Sequence, residues 1–473
     1  MMARRPLLAL GVICAAVLMI NVDTSIVAVA LPTIGASLGI KGAALTWVIN
    51  AYLIPFGGFL LLSGRLGDLL GPRRLFMAGT AVFTLASVFC GIAPTAASLF
   101  IARCAQGIGG AVLAAVALLL IAVTFPNPAE RARAIGVYGL VTAAGGGLGE
   151  LLGGVLTQVL SWHWIFLVNL PIGVAVYVGC TALIPRDPVR RGAPSIDIWG
   201  AVTSTAALTL MTYALVNGRT LGWTSLQVQT LFWFGLALAV LFVRIESRVS
   251  NPLIPLQLIK SATFAVANLT YMLWAAGVFA WFVMAALYLQ HVLDYNPLQI
   301  GLAFAPAEVV MGLVSAGLSA LVVNSLGRRT PLFGGLLFVS AGLALFARAP
   351  MHGLYLADIL PAMLLIGVGA GFATPPLLLT VVDAAGPQNE GLASGVANAS
   401  FMMGGALGLA VLASFADVRS EGLRASGVDV IAALNGGFHR AFFLASALTA
   451  VAAVLAAFLL RPSLPAIATD AVA

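Results

Sequence analysis

Four ionisable residues, Asp23, Arg103, Glu150 and Glu308, lie inside long apolar stretches of the sequence. Charges in the hydrocarbon interior of a membrane are costly, and proteins keep them there mainly to handle ions, protons or substrates. A carboxylate at such a depth can gain or lose a proton as its access to water changes, and it attracts cationic ligands. The four residues therefore indicate proton or cation handling within a bilayer.

The elements that hold these residues are predicted to be membrane-spanning helices. The chain of 473 residues is 61% hydrophobic and 8% charged, against about 25% charged residues in a soluble domain. Its apolar residues form blocks of roughly 20, the length of a helix that crosses a bilayer. We predict an all-α membrane protein with about fourteen spans, at residues 7–31, 44–63, 75–93, 97–124, 131–158, 163–184, 197–216, 226–245, 262–289, 297–323, 330–348, 354–382, 389–415 and 438–460.

The depth of each charge follows from its position in its span. Asp23, Arg103 and Glu150 are predicted about 9–12 Å below the same membrane surface, whereas Glu308, which follows Pro306, lies nearer the midplane. Either Asp23 or Glu150 can therefore pair with Arg103. The alternative to a role in transport is a fixed salt bridge that only locks helices together, and for Glu308 it is a neutral, hydrogen-bonded acid.

Glu150 has only glycine at the positions three and four residues away: Gly146, Gly147, Gly153 and Gly154. A glycine face lets another backbone approach closely or lines a cavity. We predict that these glycines, with Gly145 and Gly149, serve helix packing. Glu150 then either bonds to a neighbouring helix or takes up a proton and contacts substrate.

Three further residues are candidate substrate contacts. Trp274 and Trp281 lie in the ninth span, where a large ligand can stack on them, although packing and interface anchoring are common roles for such aromatics. Gln106 lies one helical turn after Arg103.

Basic residues fall mainly on one side of the predicted membrane: Arg4, Arg5, Arg65, Arg73, Arg74, Arg131, Arg133, Arg186, Arg190, Arg191, Arg244, Arg248, Lys260, Arg328, Arg329 and Arg461. The other side holds Lys41, Arg219, Arg348, Arg419, Arg424 and Arg440. The positive-inside rule places both termini in the cytoplasm. This clustering in loops also explains the net charge of +7 without nucleic acid binding.

A weak internal repeat is visible after the second and tenth spans. The first copy runs from Gly64 through Asp68 and Gly71 to Arg73 and Arg74, and the second is Leu326-Gly327-Arg328-Arg329. Repeats of this kind are typical of secondary transporters. We predict an N-terminal six-helix half at 1–190, two additional helices at 191–255 and a C-terminal six-helix half at 256–473.

Several motifs occur in the order seen in the fourteen-span drug:proton antiporters of the major facilitator superfamily, which the chain resembles over nearly its whole length. They are Asp23-Thr24-Ser25, the Gly64-to-Arg74 segment, Arg103 with Gln106-Gly107, the glycines from Gly145 to Gly154, and Trp162 to Gly173. The resemblance implies coupling through Asp23, proton transfer at Arg103 and a cytoplasmic gate formed by Gly64, Asp68, Gly71, Arg73 and Arg74.

The sequence departs from that family pattern at informative positions. Leu69 and Pro72 replace basic residues of the loop signature, which thins its charge network. Glu150 stands where the helix-five motif usually has proline, so a bend is lost and a carboxylate is gained.

The expected function is proton-coupled efflux, by alternating access, of lipophilic molecules such as drugs or secondary metabolites, with cationic ones among them. One alternative is another type of transporter: a lipid or metabolite exporter, or an importer. A second is a membrane sensor or enzyme, but the four histidines are scattered and no loop is long enough for an output domain. We expect no enzymatic activity, cofactor or metal. The expected partners are a small-molecule substrate, protons and membrane lipid, for a monomer in the plasma membrane.

Overall fold

The computed structural model describes residues 4–186, 197–218, 221–222, 224–249, 261–385 and 390–459. At some helical positions, including Arg65, Asp68 and Arg133, it describes the backbone alone. Five basic residues used above to predict orientation lie outside the described residues: Arg190, Arg191, Arg219, Lys260 and Arg461.

The first part of the chain forms helices α1 (Arg4–Leu38), α2 (Trp47–Leu70), α3 (Pro72–Gly91), α4 (Ala96–Thr124), α5 (Pro128–Val159), the short α6 (Trp164–Leu167) and α7 (Asn169–Leu183). A separate pair follows, α8 (Ile198–Asn217) and α9 (Leu226–Glu246). The remainder forms α10 (Ala262–His291), α11 (Pro297–Leu313), α12 (Ser319–Leu326), α13 (Arg329–Phe346), α14 (Leu360–Ala385), α15 (Glu390–Ala425) and α16 (Val430–Leu459).

The chain is an all-helical, multi-pass membrane protein. Within the described residues, ten helices are long and apolar enough to cross a membrane, and the apolar helices Ala44–Leu60, Val202–Met211 and Pro297–Leu313 are shorter. The helix positions follow the predicted spans, but several spans are subdivided. The sixth span is split between α6 and α7, and the tenth contains a π-helical turn, Val314–Leu318, between α11 and α12. The twelfth begins with a π-helical turn, Tyr355–Ile359, before α14.

The helices pack in two groups that meet along defined seams. In the first group α1 packs on α5 and α7, and α4 packs on α2 and α3; in the second, α10 packs on α15 and α16, and α13 packs on α14 and α16. The groups contact each other through α5 with α11 and through α2 with α15. Helix α8 pairs with α9 and lies against both α2 and α15, so it covers the second seam.

The predicted loop after the second span is mostly helical. Residues from Gly64 to Leu70 form the last turns of α2, and the chain reverses at Gly71 alone, with φ +94°, before Pro72 begins α3. A glycine reaches this backbone conformation without the steric penalty of a side chain. Gly327, with φ +75°, makes the equivalent turn before α13, which supports the predicted repeat.

The helices α15 and α16 extend well beyond the predicted spans at 389–415 and 438–460. Only four residues, around Gly427 at φ +84°, separate them. Polar residues such as Asp417 and Arg419 end the apolar run, but they do not end a helix whose backbone bonds are satisfied internally. These turns continue the helices past the apolar layer.

Candidate functional site

Asp23 and Arg103 form a buried ion pair within the first group of helices. Arg103 Nη1 donates to Asp23 Oδ2 over 2.6 Å, and the two side chains are 1% and 0% exposed. Of the two partners that depth alone allows, Arg103 therefore takes the one on α1. The long arginine also donates from Nε to the Val48 carbonyl over 3.0 Å, and its guanidinium lies 4.4 Å from the centre of the Tyr52 ring.

The second oxygen of Asp23 is bound by two amides. Gln106 Nε2 donates to Asp23 Oδ1 over 2.7 Å, and Asn169 Nδ2 donates to the same atom over 3.0 Å. Both amides also donate to Ser87 Oγ, at 3.1 and 2.9 Å. The aspartate is thus surrounded by donors from α4 and α7, and we call Asp23, Arg103, Gln106, Asn169 and Ser87 the Asp23 network.

Gln106 is fully occupied inside this network. Its Oε1 accepts from Arg103 Nη1 at 2.7 Å, while its Nε2 serves Asp23 and Ser87. Gln106 was predicted to contact substrate, but in this structure its hydrogen bonds hold the Asp23–Arg103 ion pair in position.

The sequence prediction omitted Asn169 and Ser87 as site residues. Asn169 begins α7 and is 1% exposed, and Ser87 lies four residues before the end of α3 at 0% exposure. A polar side chain in an apolar span was the available signal for both. Neither carries a charge, so neither stood out beside the four ionisable residues.

The glycines of α5 form two separate stripes rather than one face. Gly145, Gly149 and Gly153 face α1: a methyl group added at Gly153 would lie 2.8 Å from the Ile26 carbonyl oxygen. At Gly149 it would lie 2.6 Å from the Val22 carbonyl oxygen. The spacing of four residues puts all three on one side of the helix, where two backbones meet closely.

The second stripe, Gly146, Glu150 and Gly154, faces α11 in the other helix group. A methyl group at Gly154 would lie 2.7 Å from the Pro297 carbonyl oxygen, and one at Gly301 of α11 would lie 2.7 Å from the Glu150 carbonyl oxygen. Glu150 therefore lies at the seam between the two groups.

Glu308 enters the same seam from α11. A methyl group at Gly147 would lie 2.9 Å from Glu308 Cβ, and one at Gly146 would lie 3.3 Å from Glu308 Oε2. Glu150 and Glu308 are close enough to interact electrostatically. The two carboxyl groups face one interface from opposite sides.

Neither carboxyl group of this pair has a hydrogen-bond partner among the described residues. Their residues are 1% and 8% exposed. An ionised carboxylate buried without a partner is expensive, so this arrangement favours a bound proton or a cationic ligand. The pair differs in this respect from Asp23, whose charge is matched by Arg103 and two amides.

The two candidate tryptophans lie in aromatic clusters of the second helix group. Trp274 stacks on Tyr271 at 5.6 Å between ring centres and lies 5.2 Å from Phe401. The ring centre of Trp281 lies 5.2 Å from that of Phe304. Phe304 is in turn one helical turn before Glu308 on α11. Both indole N–H groups are buried and lack an acceptor among the described residues. The rings of both tryptophans thus pack against other aromatic side chains, whereas their indole N–H groups make no hydrogen bond to the described residues.

The candidate gate is only partly described. Gly64 lies in α2 with open space around it, Gly71 makes the turn, and the Asp68 side chain lies outside the described atoms. Arg73 donates from Nη2 to the Thr181 carbonyl over 2.9 Å and from Nε to the Cys180 carbonyl over 3.4 Å. It therefore helps to cap the C-terminal end of α7, together with the Ile184 N–H, which donates to the same Cys180 carbonyl. Arg74 is exposed at the start of α3.

Comparison with known proteins gives consistent results. The model of the Major Facilitator Superfamily matches residues 13–409. The chain is 37% identical over 409 residues to the puromycin resistance protein pur8 of Streptomyces alboniger, covering 85% of this chain and 80% of that protein. It is 38% identical over 408 residues to the cephamycin export protein CmcT of Amycolatopsis lactamdurans, covering 85% and 84%.

A solved structure shares the fold. A bacterial homologue of the human lysosomal transporter Spinster, in an inward-facing and unoccupied conformation, aligns over 98% of both chains with a TM-score of 0.67 and 16% identity. The sequence matches and the shared architecture agree with the resemblance inferred from the motifs. The chain belongs to the Major Facilitator Superfamily, a family of membrane transporters.

Proposed function

We propose that this protein exports lipophilic small molecules in exchange for protons by alternating access, with Glu150 and Glu308 forming the proton site. The observation that carries the proposal is the pair of buried carboxyl groups, without partners among the described residues, at the seam between the two helix groups. The names of the relatives, a puromycin resistance protein and a cephamycin export protein, support outward transport of antibiotics.

The position of the pair supplies a physical route to coupling. With the seam closed, two ionised carboxylates would repel each other without water or cations to screen them. Protonation removes that repulsion and favours the closed seam. Loss of the protons, or binding of a cationic substrate in their place, favours a different arrangement of α5 and α11. Protons and substrate then compete for one site.

The Asp23 network has a supporting role in this mechanism. Its ion pair and amides hold α1, α4 and α7 together, and α1 also packs against α5. Asp23 and Arg103 remain proton-coupling candidates, because a rearrangement of the surrounding helices would expose a carboxylate whose charge Arg103 matches in the structure. Arg73, Arg74 and Asp68 are proposed to control the cytoplasmic end.

The proposed organisation follows the sequence prediction. Residues 1–190 and 256–473 form two six-helix halves, and 191–255 supply two additional helices, which gives fourteen spans. Both termini lie in the cytoplasm of a plasma-membrane monomer. The seam contacts of α5 with α11 and of α2 with α15 are then the contacts that change when the halves rock.

Transport by reconstituted protein tests the proposal. Purified protein in liposomes with an imposed proton gradient is assayed with ethidium and puromycin as probes. Glu150→Gln should decrease gradient-driven movement about tenfold. It should also weaken binding of the cation ethidium, because cation and protons compete for the same carboxyl pair. The control is Glu130→Gln, the same change in the first turn of the same helix, which should behave as wild type. Normal proton-driven transport by Glu150→Gln would contradict the assignment of Glu150.

A further inference from the structure

A groove of about 1000 Å³ lies on the surface of the second helix group. It runs across α16, between α13 and α15. Three arginines line it: Arg419 of α15, Arg440 of α16, and Arg348, which lies two residues beyond the C-terminal end of α13. Acidic residues are absent from its described lining.

The three arginines are exposed and have no acidic partner in the described part of the chain. They are also half of the six basic residues on this side of the predicted membrane. Positive charge is normally sparse on that side. Membrane orientation therefore does not account for a cluster of three in one groove.

An apolar layer lies one helical turn below the arginines. Phe415 precedes Arg419 by four residues, and Phe443 follows Arg440 by three; the phenylalanines are 46% and 58% exposed. The helix α15 runs toward this surface and α16 runs away from it, so both aromatics lie about 4.5–6 Å deeper than the arginines. The groove is basic at its top and apolar beneath.

Hydrogen bonds between α13 and α16 hold the groove in shape. Ser446 Oγ donates to the Ser340 carbonyl over 2.8 Å, and the two hydroxyl oxygens lie 3.0 Å apart. Nearer the surface, His439 Nε2 lies 2.7 Å from the Ala349 carbonyl oxygen. Arg348 and Arg440, which lie next to these contacts, are therefore held on segments that are fixed relative to each other.

We propose that this groove binds an anionic phospholipid, with the phosphate held by Arg348, Arg419 and Arg440 and an acyl chain lying along Phe415 and Phe443. Guanidinium groups form paired hydrogen bonds to phosphate oxygens, and three of them match a headgroup that carries net negative charge. A phospholipid in its leaflet has a charged headgroup above apolar acyl chains, and the groove has arginines above phenylalanines in the same order. A soluble anion would bind the arginines but would make no contact with the exposed aromatic side chains below them.

Native mass spectrometry of the full-length protein tests the site. Protein stripped of lipid is mixed with equal amounts of phosphatidylglycerol and phosphatidylcholine of the same chain length. Wild type should retain phosphatidylglycerol preferentially. Each arginine near a charged headgroup contributes about fivefold to affinity, so the triple change Arg348→Gln, Arg419→Gln, Arg440→Gln should remove the preference. Phe443→Ala should weaken retention of long-chain lipid more than that of short-chain lipid.

Two matched variants make the result decisive. Arg5→Gln, Arg244→Gln, Arg248→Gln removes the same charge from exposed arginines elsewhere and should keep the preference. The triple arginine-to-lysine variant of the groove keeps the charge and should keep at least part of the preference for phosphatidylglycerol. Retention of that preference would show that substitution at these three positions does not itself misfold the protein. The proposal is overturned if the glutamine triple still prefers phosphatidylglycerol. It is also overturned if millimolar inorganic phosphate displaces the lipid equally well, or if the groove is occupied by a second copy of the chain.

Discussion

Arg103 Nη1 lies 2.6 Å from Asp23 Oδ2, and this bond joins α4 to α1 in a site almost without solvent exposure. The carboxylate receives two more hydrogen bonds from Gln106 and Asn169. A buried ion pair gains little over a well-packed apolar pair, but removal of one partner leaves an uncompensated charge. The two residues are therefore expected to depend on each other strongly.

Arg103→Ala should lower the free energy of unfolding by about 3–5 kcal/mol, because Asp23 would be left buried without its counter-charge. Thermal unfolding in detergent measures the change. The double variant Arg103→Ala with Asp23→Asn should recover part of the loss. Equal losses from each single change that simply add in the double variant would show that the two side chains do not interact.

Glu308→Gln should impair proton-driven transport as Glu150→Gln does, because both carboxyl groups face one seam. We expect a decrease of about tenfold, or about 1.4 kcal/mol. The double variant should lose little more than either single variant, as is typical of residues that act as one unit. The measurement is substrate uptake under an imposed gradient, with simultaneous recording of proton movement. Independent, multiplying losses would mean two separate proton sites.

Gly154→Ala should disfavour the closed seam, because the added methyl group meets the Pro297 carbonyl oxygen at 2.7 Å. Crowding of this kind costs about 1–3 kcal/mol. Spin labels at the exposed positions Val159 and Leu302 report the separation of α5 and α11. Gly312→Ala, where the methyl group meets open space, is the control. An unchanged distance distribution for Gly154→Ala would refute the close approach.

Arg73→Gln should destabilise the protein more than Arg328→Gln. Arg73 donates to two carbonyls at the end of α7, in one part-buried and one exposed hydrogen bond, and each such bond contributes about 0.5–1.5 kcal/mol. Arg328 pairs with Asp383 at the surface, where the side chains are 31% and 55% exposed and such pairs contribute about 1 kcal/mol or less. The measurement is the melting temperature of each variant relative to wild type. A larger decrease for Arg328→Gln than for Arg73→Gln would contradict the prediction.

Helix positions and charge depths could be predicted from the sequence, because a membrane span has a fixed length and an apolar composition. The common depth of Asp23, Arg103 and Glu150 followed from the same arithmetic. The depth of a residue in the membrane does not specify in which direction its side chain points from the helix axis. Depth alone therefore left both Asp23 and Glu150 open as partners of Arg103. The structure pairs it with Asp23 because Gln106 and Asn169 complete the shell around that carboxylate.

Contacts between distant segments were harder to predict. The glycines near Glu150 indicated close packing, but the division into a stripe toward α1 and a stripe toward α11 depends on which helices flank α5. The encounter of Glu150 with Glu308 joins residues 158 positions apart, and local periodicity carries no information on such a pair. The extensions of α15 and α16 were missed because hydropathy marks the lipid boundary, which is not the end of a helix.

The two stripes of α5 give the helix an unusual sensitivity to substitution. Residues 145, 149 and 153 pack on α1 within the first helix group, so changes there should act on folding. Residues 146, 150 and 154 lie between the two helix groups, so changes there should act on the rate of the proposed transport cycle. In a survey of every substitution along these ten residues, two kinds of defect would alternate with a repeat of four, and neighbouring positions would fail for different reasons.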